Sequence, residues 1–330
     1  MTLSLELARA AHPHPNPRVG AAIVDRAGTL VGTGSHQGPG SLHAEVLAIR
    51  EAGEATHGST MYVTLEPCAH HGRTPPCTDA IVAAGITRVV VAAEDPDERV
   101  SGLGLTLLRE AGIEVTFGVS EREAHDLDPA YFHHRRTGLP YLTLKVAATL
   151  DGQTAAADGT SQWITSQTAR MDGHLLRAES DAVMVGAGTI RVDDPLLDVR
   201  IEEYEGPQPV PVIVRGRQPL PEGARVLGRD PLVLEPAHGE ASVDLRAALK
   251  TVADSGLLDV LVEGGPTLSA SLLSGGFVNR FVFYLAPSIA GGAGRGMFNA
   301  PFRTLTDRHQ VRIRDVREVG GALKIDAEEI

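Results

Sequence analysis

EPCAHHGRTPPC, residues 66–77, holds both cysteines of a 330-residue chain, each directly after a proline, with a His-His pair between them. Secreted proteins that depend on disulfides are usually smaller and richer in cysteine. The N-terminal MTLSLELARAAHPHP has neither a basic n-region nor a long apolar core, so it does not read as a signal peptide. No window approaches the roughly 18 apolar residues of a membrane span. The chain reads as cytoplasmic, where thiols stay reduced. A metal or catalytic role is therefore the first reading of the cysteine pair, ahead of inert thiols.

Outward from that stretch, the composition narrows the partners. The net charge of −12 argues against a polyanionic partner, because nucleic-acid binding normally needs a basic patch, and the densest cationic run is HHRR at 133–136. Three lysines (Lys145, Lys250 and Lys324) stand against 27 arginines, a bias that reads as compositional. The length fits two domains of roughly 100–200 residues each.

The first half alternates strand and helix signals. LSLELARAA reads as a short amphipathic helix. VGAAIVD and TLVGTGS read as strands joined by an Arg-Ala-Gly turn. HAEVLAIREAG follows as a helix, with Ser41 as N-cap and Gly53 as its stop. MYVTLEP, TRVVVAAED and IEVTFGV read as strands, separated by the helices CTDAIVAAG, entered through Pro76, and GLGLTLLREAG. Such alternation indicates an α/β layer fold. One polar helix, SEREAHDLDPAYFHHRR, leads to Gly-Leu-Pro, which places a boundary near residue 139 and domains at 1–138 and 139–330. The second half alternates again: the helices SQTARMDGHLLRAES, DLRAALKTVADSG and PTLSASLLSGG fall among the strands TLKVAAT, DAVMVGAG, PVPVIVR, LLDVLVEGG and RFVFYLAP.

Cys68, Cys77 and one upstream histidine would give three soft ligands and leave a fourth position for water, the arrangement of a catalytic zinc. His43 is the histidine of choice because Glu45 stands two residues on. With two thiolates and a neutral imidazole the ion's charge is offset, its water is less acidified, and a nearby carboxylate that takes the proton becomes valuable. Nucleobase-type deaminases use this set, with a glutamate that is not a ligand shuttling protons. Residues two apart in a helix interior do not share a face, so His43 and Glu45 converge only in a first turn. Cys77 opens a helix, where the dipole favours thiolate. The usual Cys-x-x-Cys spacing is replaced by the eight-residue AHHGRTPP, whose His70, His71 and Arg73 suit a phosphate or a large substrate, or form a solvated loop tip. His12, His14, His36, His133 and His134 have no such company and read as structural or exposed.

These motifs resemble the bifunctional riboflavin-biosynthesis deaminase/reductases. NPRVGAAIVD, GSHQGPGSLHAEVLAI, YVTLEPCAHHGRTPPC and AAGITRVVVAAEDP are similar to the family's deaminase domain. LTLKVAATLDGQTA, SQWITS, LLRAESDAVMVGAGTI, DDPLLDVR and VEGGPTLSASLL are similar to its reductase domain. The resemblance covers nearly the whole chain, and the long loop between the cysteines is specific to this family among deaminases. It implies a cytidine-deaminase-like α/β/α sandwich followed by a dihydrofolate-reductase-like α/β domain. It implies zinc on His43, Cys68 and Cys77, Glu45 as the catalytic proton shuttle, and Asn16 facing the pyrimidine. The implied activity is zinc-dependent deamination of a phosphoribosylated diaminopyrimidinone, then NADPH-dependent reduction of the ribosyl group to ribityl. A small-molecule substrate, no nucleic acid, no membrane and a homo-oligomer (dimer or tetramer) go with it. One departure stands out: the family's Asp-Pro-Asn-Pro reads DPDERVSG here, so Asp97 and Glu98 put negative charge where a phosphate would approach.

Residues 139–330 contain no GxGxxG fingerprint, so a Rossmann site is not indicated. GAGTI and VEGG each follow a strand and let backbone N–H groups approach a phosphate at a helix N-terminus, although small-residue turns after strands are common. The resemblance implies cofactor contacts at Ala147, Trp163, Thr189, Asp193, Gly216 and the run Gly265, Pro266, Thr267, Leu268, Ser269, Ala270 and Ser271. It implies substrate contacts at Ser161, Arg177, Leu197, Arg200 and Glu263. Arg177 and Arg200 suit a ribose phosphate through bidentate charge-assisted bonds. Trp163, the sole tryptophan, offers a flat wall for a cofactor or packs in a core. Lys145 reads as a binding or protonating group, or as half of a structural ion pair. Two other classes compete. A structural zinc module needs a fourth protein ligand and has no use for Glu45; a nucleic-acid-editing deaminase needs a basic groove and leaves the second domain unexplained.

Overall fold

Alternation through the first two strands sorts their residues between two helical layers. Helix α1 (Thr2–Arg9) leads to β1 (Gly20–Val24), which pairs antiparallel with β2 (Leu30–Ser35). Gly20 faces α1 so closely that a Cβ there would lie 2.0 Å from the Ser4 carbonyl oxygen. On the opposite face a Cβ at Gly34 would lie 2.2 Å from the Ala44 carbonyl oxygen, so the bare strand lets α2 (Ala44–Ala52) settle against it. The unit continues with β3 (Thr60–Leu65), α3 (Cys77–Ala83), β4 (Arg88–Ala93), α4 (Leu103–Glu110) and β5 (Glu114–Phe117). The sheet order is β2-β1-β3-β4-β5, with β3, β4 and β5 parallel. Ile23, Met61, Val63, Ile81, Val89, Val91 and Leu108 form its buried core.

The computed structural model describes all residues except 71–74, 98–100, 217, 293 and 301–302. They divide into two units, Met1–Gly138 and Leu139–Ile330.

Two local expectations are corrected in the first unit. Ser41 does not cap α2: its hydroxyl donates to the Gly38 carbonyl, and His43 itself is the capping residue, with an extended backbone. The polar helix expected across residues 120–136 is two helices, α5 (Glu121–Leu127) and α6 (Pro129–Thr137). Pro129 has no N–H to continue α5, and Asp128 instead caps α6 by accepting from Tyr131 N.

The second unit begins with β6 (Tyr141–Thr149), β7 (Gln153–Ala155), α7 (Gln167–Glu179), β8 (Ala182–Gly186) and α8 (Ala187–Asp193). β9 (Val210–Val214), β10 (Leu232–Leu234), α9 (Leu245–Asp254), β11 (Asp259–Val262) and α10 (Pro266–Ser274) follow. β12 (Arg280–Ala286), β13 (Arg295–Gly296), β14 (Val311–Val319) and β15 (Ala322–Glu329) complete it. Eight strands form one sheet in the order β10-β9-β8-β11-β6-β12-β15-β14, parallel from β10 to β12 and antiparallel thereafter. Parity assigns the faces. Leu142, Leu144, Met184, Val260, Val262 and Phe281 join one core cluster; Val183, Val185, Leu261, Val282 and Tyr284 join the other. Lys145, Ala147 and Glu263 fall by that parity on the Tyr284 face. GAGTI runs from β8 into α8, so a helix N-terminus does stand there, whereas no element is expected from sequence where the β14–β15 ribbon forms.

Candidate metal centre and cofactor cavity

Three chain segments meet at the first site. His43 ends the loop before α2, Cys68 follows β3, and Cys77 is the first residue of α3, with Pro76 as its N-cap. His43 Nδ1 stands 3.1 Å from Cys77 Sγ and 3.5 Å from Cys68 Sγ, and all three donor atoms lie within 4.8 Å of one another. A tetrahedral zinc with about 2.1 Å and 2.3 Å bonds to N and S sets such N···S edges at about 3.6 Å. The donors therefore already stand close to the spacing of one ion. The sulfurs compete for a proton. The hydrogen bond from Cys77 outweighs burial and draws the Cys68 thiol below its ordinary range, helped by His43. That same bond, together with burial, pushes Cys77 up. A doubly charged ion in place of that proton is what this donor set fits. Among the described residues the group contains three donors and no fourth, as an open catalytic site requires.

Glu45, the second residue of α2, is 4% exposed. Burial pushes its carboxyl above the ordinary carboxylate range, and the Cys68 charge adds to the effect. The first-turn placement needed for His43 and Glu45 to converge is met, although by a different cap.

Asn16 is held from two sides. Its Nδ2 lies 2.8 Å from His36 Nε2, while His36 Nδ1 lies 3.1 Å from the Leu42 carbonyl oxygen. That pairing assigns the proton to Nδ1 and leaves Nε2 to accept from the amide. Burial lowers the His36 pKa and keeps the ring neutral. The backbone of the same loop is tied to Asp128, which accepts from Arg18 N at 2.8 Å and contacts His14 Nε2 at 2.9 Å. His36 and His14, read from sequence as lacking company, thus hold the Asn16 loop; their partners lie 20 and 114 residues away in the chain. His70 is described and exposed, whereas His71, Arg73 and Glu98 lie outside the described residues. Asp97 donates its backbone N–H to Asp95 Oδ1.

The second unit contains a cavity of about 900 Å³. Ala147, Trp163, Thr189, Asp193, Gly265, Pro266, Thr267 and Leu268 line it, as do Ser161, Arg177, Leu197, Arg200 and Glu263. Gly216, Ser269, Ala270 and Ser271 do not: Ser269 and Ala270 are buried, and Ser271 turns back to the Thr267 carbonyl. The N-termini of α8 and α10 both open on the cavity through Gly186 and Gly265. Trp163 is 67% exposed, with Arg170 4.4 Å above its ring, so it is a wall and not core.

Arg177 lines the cavity with its guanidinium held by protein partners. Its Nε and Nη2 donate to Glu263 Oε1 and Oε2, both at 2.8 Å, and its Nη1 donates to the Asp198 carbonyl. The bidentate fork is already engaged. Arg200, with its side chain 55% exposed, pairs among the described residues with Asp198 through Nη1. His174, not singled out from sequence, also lines the cavity and accepts from Arg200 N through Nδ1. Burial first, then Arg177 and Arg200, lower its pKa.

A metal-binding deaminase layer and a reductase-type cavity on separate units define a two-activity enzyme, one activity needing zinc and the other a nicotinamide cofactor. Residues 1–93 match the cytidine and deoxycytidylate deaminase zinc-binding region, and residues 140–323 match the RibD C-terminal domain. The chain is 39% identical to the riboflavin biosynthesis protein RibD of Escherichia coli, over 93% of this chain and 92% of that one. It is 41% identical to the RibD of Aquifex aeolicus, over 98% and 96%. Among solved structures, Acinetobacter baumannii RibD superposes with a TM-score of 0.92 at 38% identity, covering 100% of this chain and 97% of that one. A Thermotoga maritima diaminohydroxyphosphoribosylaminopyrimidine deaminase/5-amino-6-(5-phosphoribosylamino)uracil reductase gives 0.90 at 32%, with the same coverage. The chain belongs to the RibD family of bifunctional riboflavin-biosynthesis enzymes, with a cytidine-deaminase-like domain followed by a dihydrofolate-reductase-like one. The match over 140–323 also overturns the reading of an editing deaminase with an unrelated second domain. No helix among the described residues is long and apolar enough to cross a membrane.

Proposed function

We propose that the first unit deaminates 2,5-diamino-6-(5-phosphoribosylamino)pyrimidin-4-one and that the second reduces the resulting 5-amino-6-(5-phosphoribosylamino)uracil with NADPH. The observation that carries the reading is the convergence of His43, Cys68 and Cys77 beside the buried carboxyl of Glu45. His43, Cys68 and Cys77 would hold zinc, which supplies the Lewis acidity that makes water a nucleophile at neutral pH. Glu45 takes a proton from the attacking water and returns it to the departing C2 amino nitrogen, so water enters and ammonia leaves. Asn16, fixed by His36, hydrogen-bonds the pyrimidine edge.

In the second unit NADPH, when bound, supplies hydride to C1′ of the ribosyl group. The C1′–O4′ bond opens with a proton delivered to O4′, which turns the sugar into a ribityl chain. Trp163, Ala147, Thr189, Asp193 and the α10 N-terminus form the cofactor side of the cavity. Arg200 takes the substrate phosphate, and Glu263, braced by Arg177, accepts from sugar hydroxyls. The domain division at 138/139 and a homo-oligomeric assembly belong to the same reading. So does a cytoplasmic location, since both cysteines must stay reduced to hold a metal. The test is direct. Purified protein is incubated with the diaminopyrimidinone phosphate, with and without NADPH, and the products are identified by mass; the deaminated ribosyl compound should accumulate without NADPH and the ribityl compound should form with it. Recovery of unchanged substrate in both tubes would refute the assignment.

A further inference from the structure

Where arginine fills 27 of 30 basic positions, a retained lysine is informative. Two of the three lysines stand over one ring: Lys145 Nζ is 5.8 Å and Lys324 Nζ 5.4 Å from the centroid of Tyr284. Both lie inside the roughly 6 Å reach of a cation–π contact. The third, Lys250, is exposed and pairs with Asp254 on its own helix. Strand register produces the clustering. Tyr284 sits opposite Lys324 across β12 and β15, and Lys145 sits opposite Val282, the next residue on the same face of β12.

Tyr284 is 1% exposed, and its hydroxyl donates to Asp172 Oδ2 on α7, the same oxygen that receives Lys324 Nζ at 2.5 Å. Burial and the Asp172 bond push the tyrosine pKa up, so it remains a donor. Lys145 passes beneath α7 one residue further on: a Cβ at Gly173 would stand 3.8 Å from its Cε. It then reaches the cavity wall, where its charge acts on Glu263. Charges therefore alternate from Lys324 through Asp172, across the ring to Lys145, and on to Glu263 and Arg177. An ammonium suits this seat because it is a compact point charge that can rest on a ring face and still offer N–H bonds elsewhere. A guanidinium would stack flat and turn its fork with it.

We propose that Tyr284 is a positioning residue for the reduction: its ring, fixed through its hydroxyl to the Asp172–Lys324 pair, seats the Lys145 ammonium at the cavity wall beside Glu263, facing the sugar of the bound substrate. The inference rests on the reading of the second unit as the reductase. Three lysines make it testable by NMR of the full-length, zinc-loaded chain carrying 13C-labelled lysine, with signals assigned through Lys250→Arg and Lys324→Arg. The Lys145 and Lys324 ε-signals should be displaced upfield of Lys250 by the ring current. In Tyr284→Leu both should move to the Lys250 position, and kcat for reduction should fall about thirtyfold, what a desolvated cation–π seat is worth, with KM for NADPH little changed. Tyr284→Phe, which keeps the ring but loses the bond to Asp172, should restore the Lys145 displacement and most of kcat even though its melting temperature falls. An undisplaced Lys145 signal in the wild type overturns the proposal. So does a Phe variant as slow as the Leu variant, because activity would then follow stability and not the ring. If Tyr284→Leu does not fold, the wild-type spectrum and the Phe variant decide alone. A wild type with a displaced Lys145 signal but no reduction at all overturns the reductase assignment itself, and with it the purpose given to the contact.

Discussion

Arg177 and Glu263 meet fork to fork, with two N–H···O bonds of 2.8 Å each. Burial alone would push the Glu263 carboxyl up, but the charges of Arg177 and Lys145 and the bonds from Arg177 hold it at about 2, against an ordinary value of 4.5. The pair links β11 to α7 at the cavity wall, so the electrostatics that shape the site also stabilise the unit.

The sign of the pH dependence follows. A carboxyl depressed in the folded state contributes its full stability above the unfolded pKa and loses it as pH falls toward the folded one. For Glu263 that window runs from about 4.5 down to about 2, and at roughly 1.4 kcal/mol per unit the contribution at stake is about 3 kcal/mol. Urea unfolding of the second unit followed between pH 6 and pH 3 should show the loss. Glu263→Gln should be less stable than wild type at pH 6, where Arg177 is left without its counter-charge. The gap should narrow as the wild-type carboxyl protonates. A gap that stays constant with pH would assign the acid sensitivity elsewhere.

Much of this arrangement was legible before any coordinates, and the reasons it was or was not are local. Cys68 and Cys77 announce themselves because they are the only two cysteines and each follows a proline, and His43 stands out from the other twelve histidines through Glu45 two residues on. Ser41 misled because it is a good N-cap type two residues early, while the Gly38 carbonyl takes its hydroxyl. Helix α8 is only seven residues long with a glycine in it, too short for periodicity to register. The β14–β15 ribbon is hard to read because the Val-Arg-Ile-Arg alternation of β14 is short, is interrupted at Asp315, and belongs to a strand exposed along almost its whole length. The pairing of Arg177 with Glu263 is invisible in the sequence because the two residues stand 86 positions apart.

The metal prediction is stoichiometric. Purified protein should hold about one zinc per chain on one nitrogen and two sulfurs. Cys68→Ala and Cys77→Ala should each lose the metal and deamination together, measured by elemental analysis and by ammonia release. Pure, active protein without any transition metal would rule out the mechanism.

Glu45→Gln keeps the shape of the side chain and removes its capacity to carry a proton. General acid–base catalysis typically contributes about 10²–10⁴-fold, and one carboxyl here serves both attack and departure. Deamination should fall at least that far while zinc content stays at the wild-type level. Near-normal turnover would transfer the role to another residue.

Asn16 and His36 should behave as one unit. His36→Ala leaves Asn16 present but unoriented, so each single variant should raise KM for the diaminopyrimidinone, and the double variant should cost little more than either one. Contacting residues in one hydrogen-bond network typically show coupling of about 0.5–3 kcal/mol. Strict additivity in a double-mutant cycle would mean that the 2.8 Å contact between them has no bearing on substrate binding.

The last prediction concerns the independence of the two chemistries. The deaminase donors all lie in Met1–Gly138, and the cavity lining lies in Leu139–Ile330. Reduction needs no zinc, and deamination needs no hydride. Glu45→Gln should therefore still oxidise NADPH when given the already deaminated pyrimidine. Arg200→Ala should deaminate normally but reduce poorly. Among the described residues its guanidinium is engaged only with Asp198, and its side chain is more than half exposed, so its removal strands no buried partner there and should not unfold the unit. Loss of charge-assisted bonds to a phosphate is worth roughly 1.5–3 kcal/mol, which is about one to two decades in kcat/KM. Each variant should leave the other activity within a few-fold of wild type, measured by ammonia release on one side and NADPH absorbance on the other. A variant that loses both activities while remaining folded and zinc-loaded would defeat the two-site assignment and require a shared site.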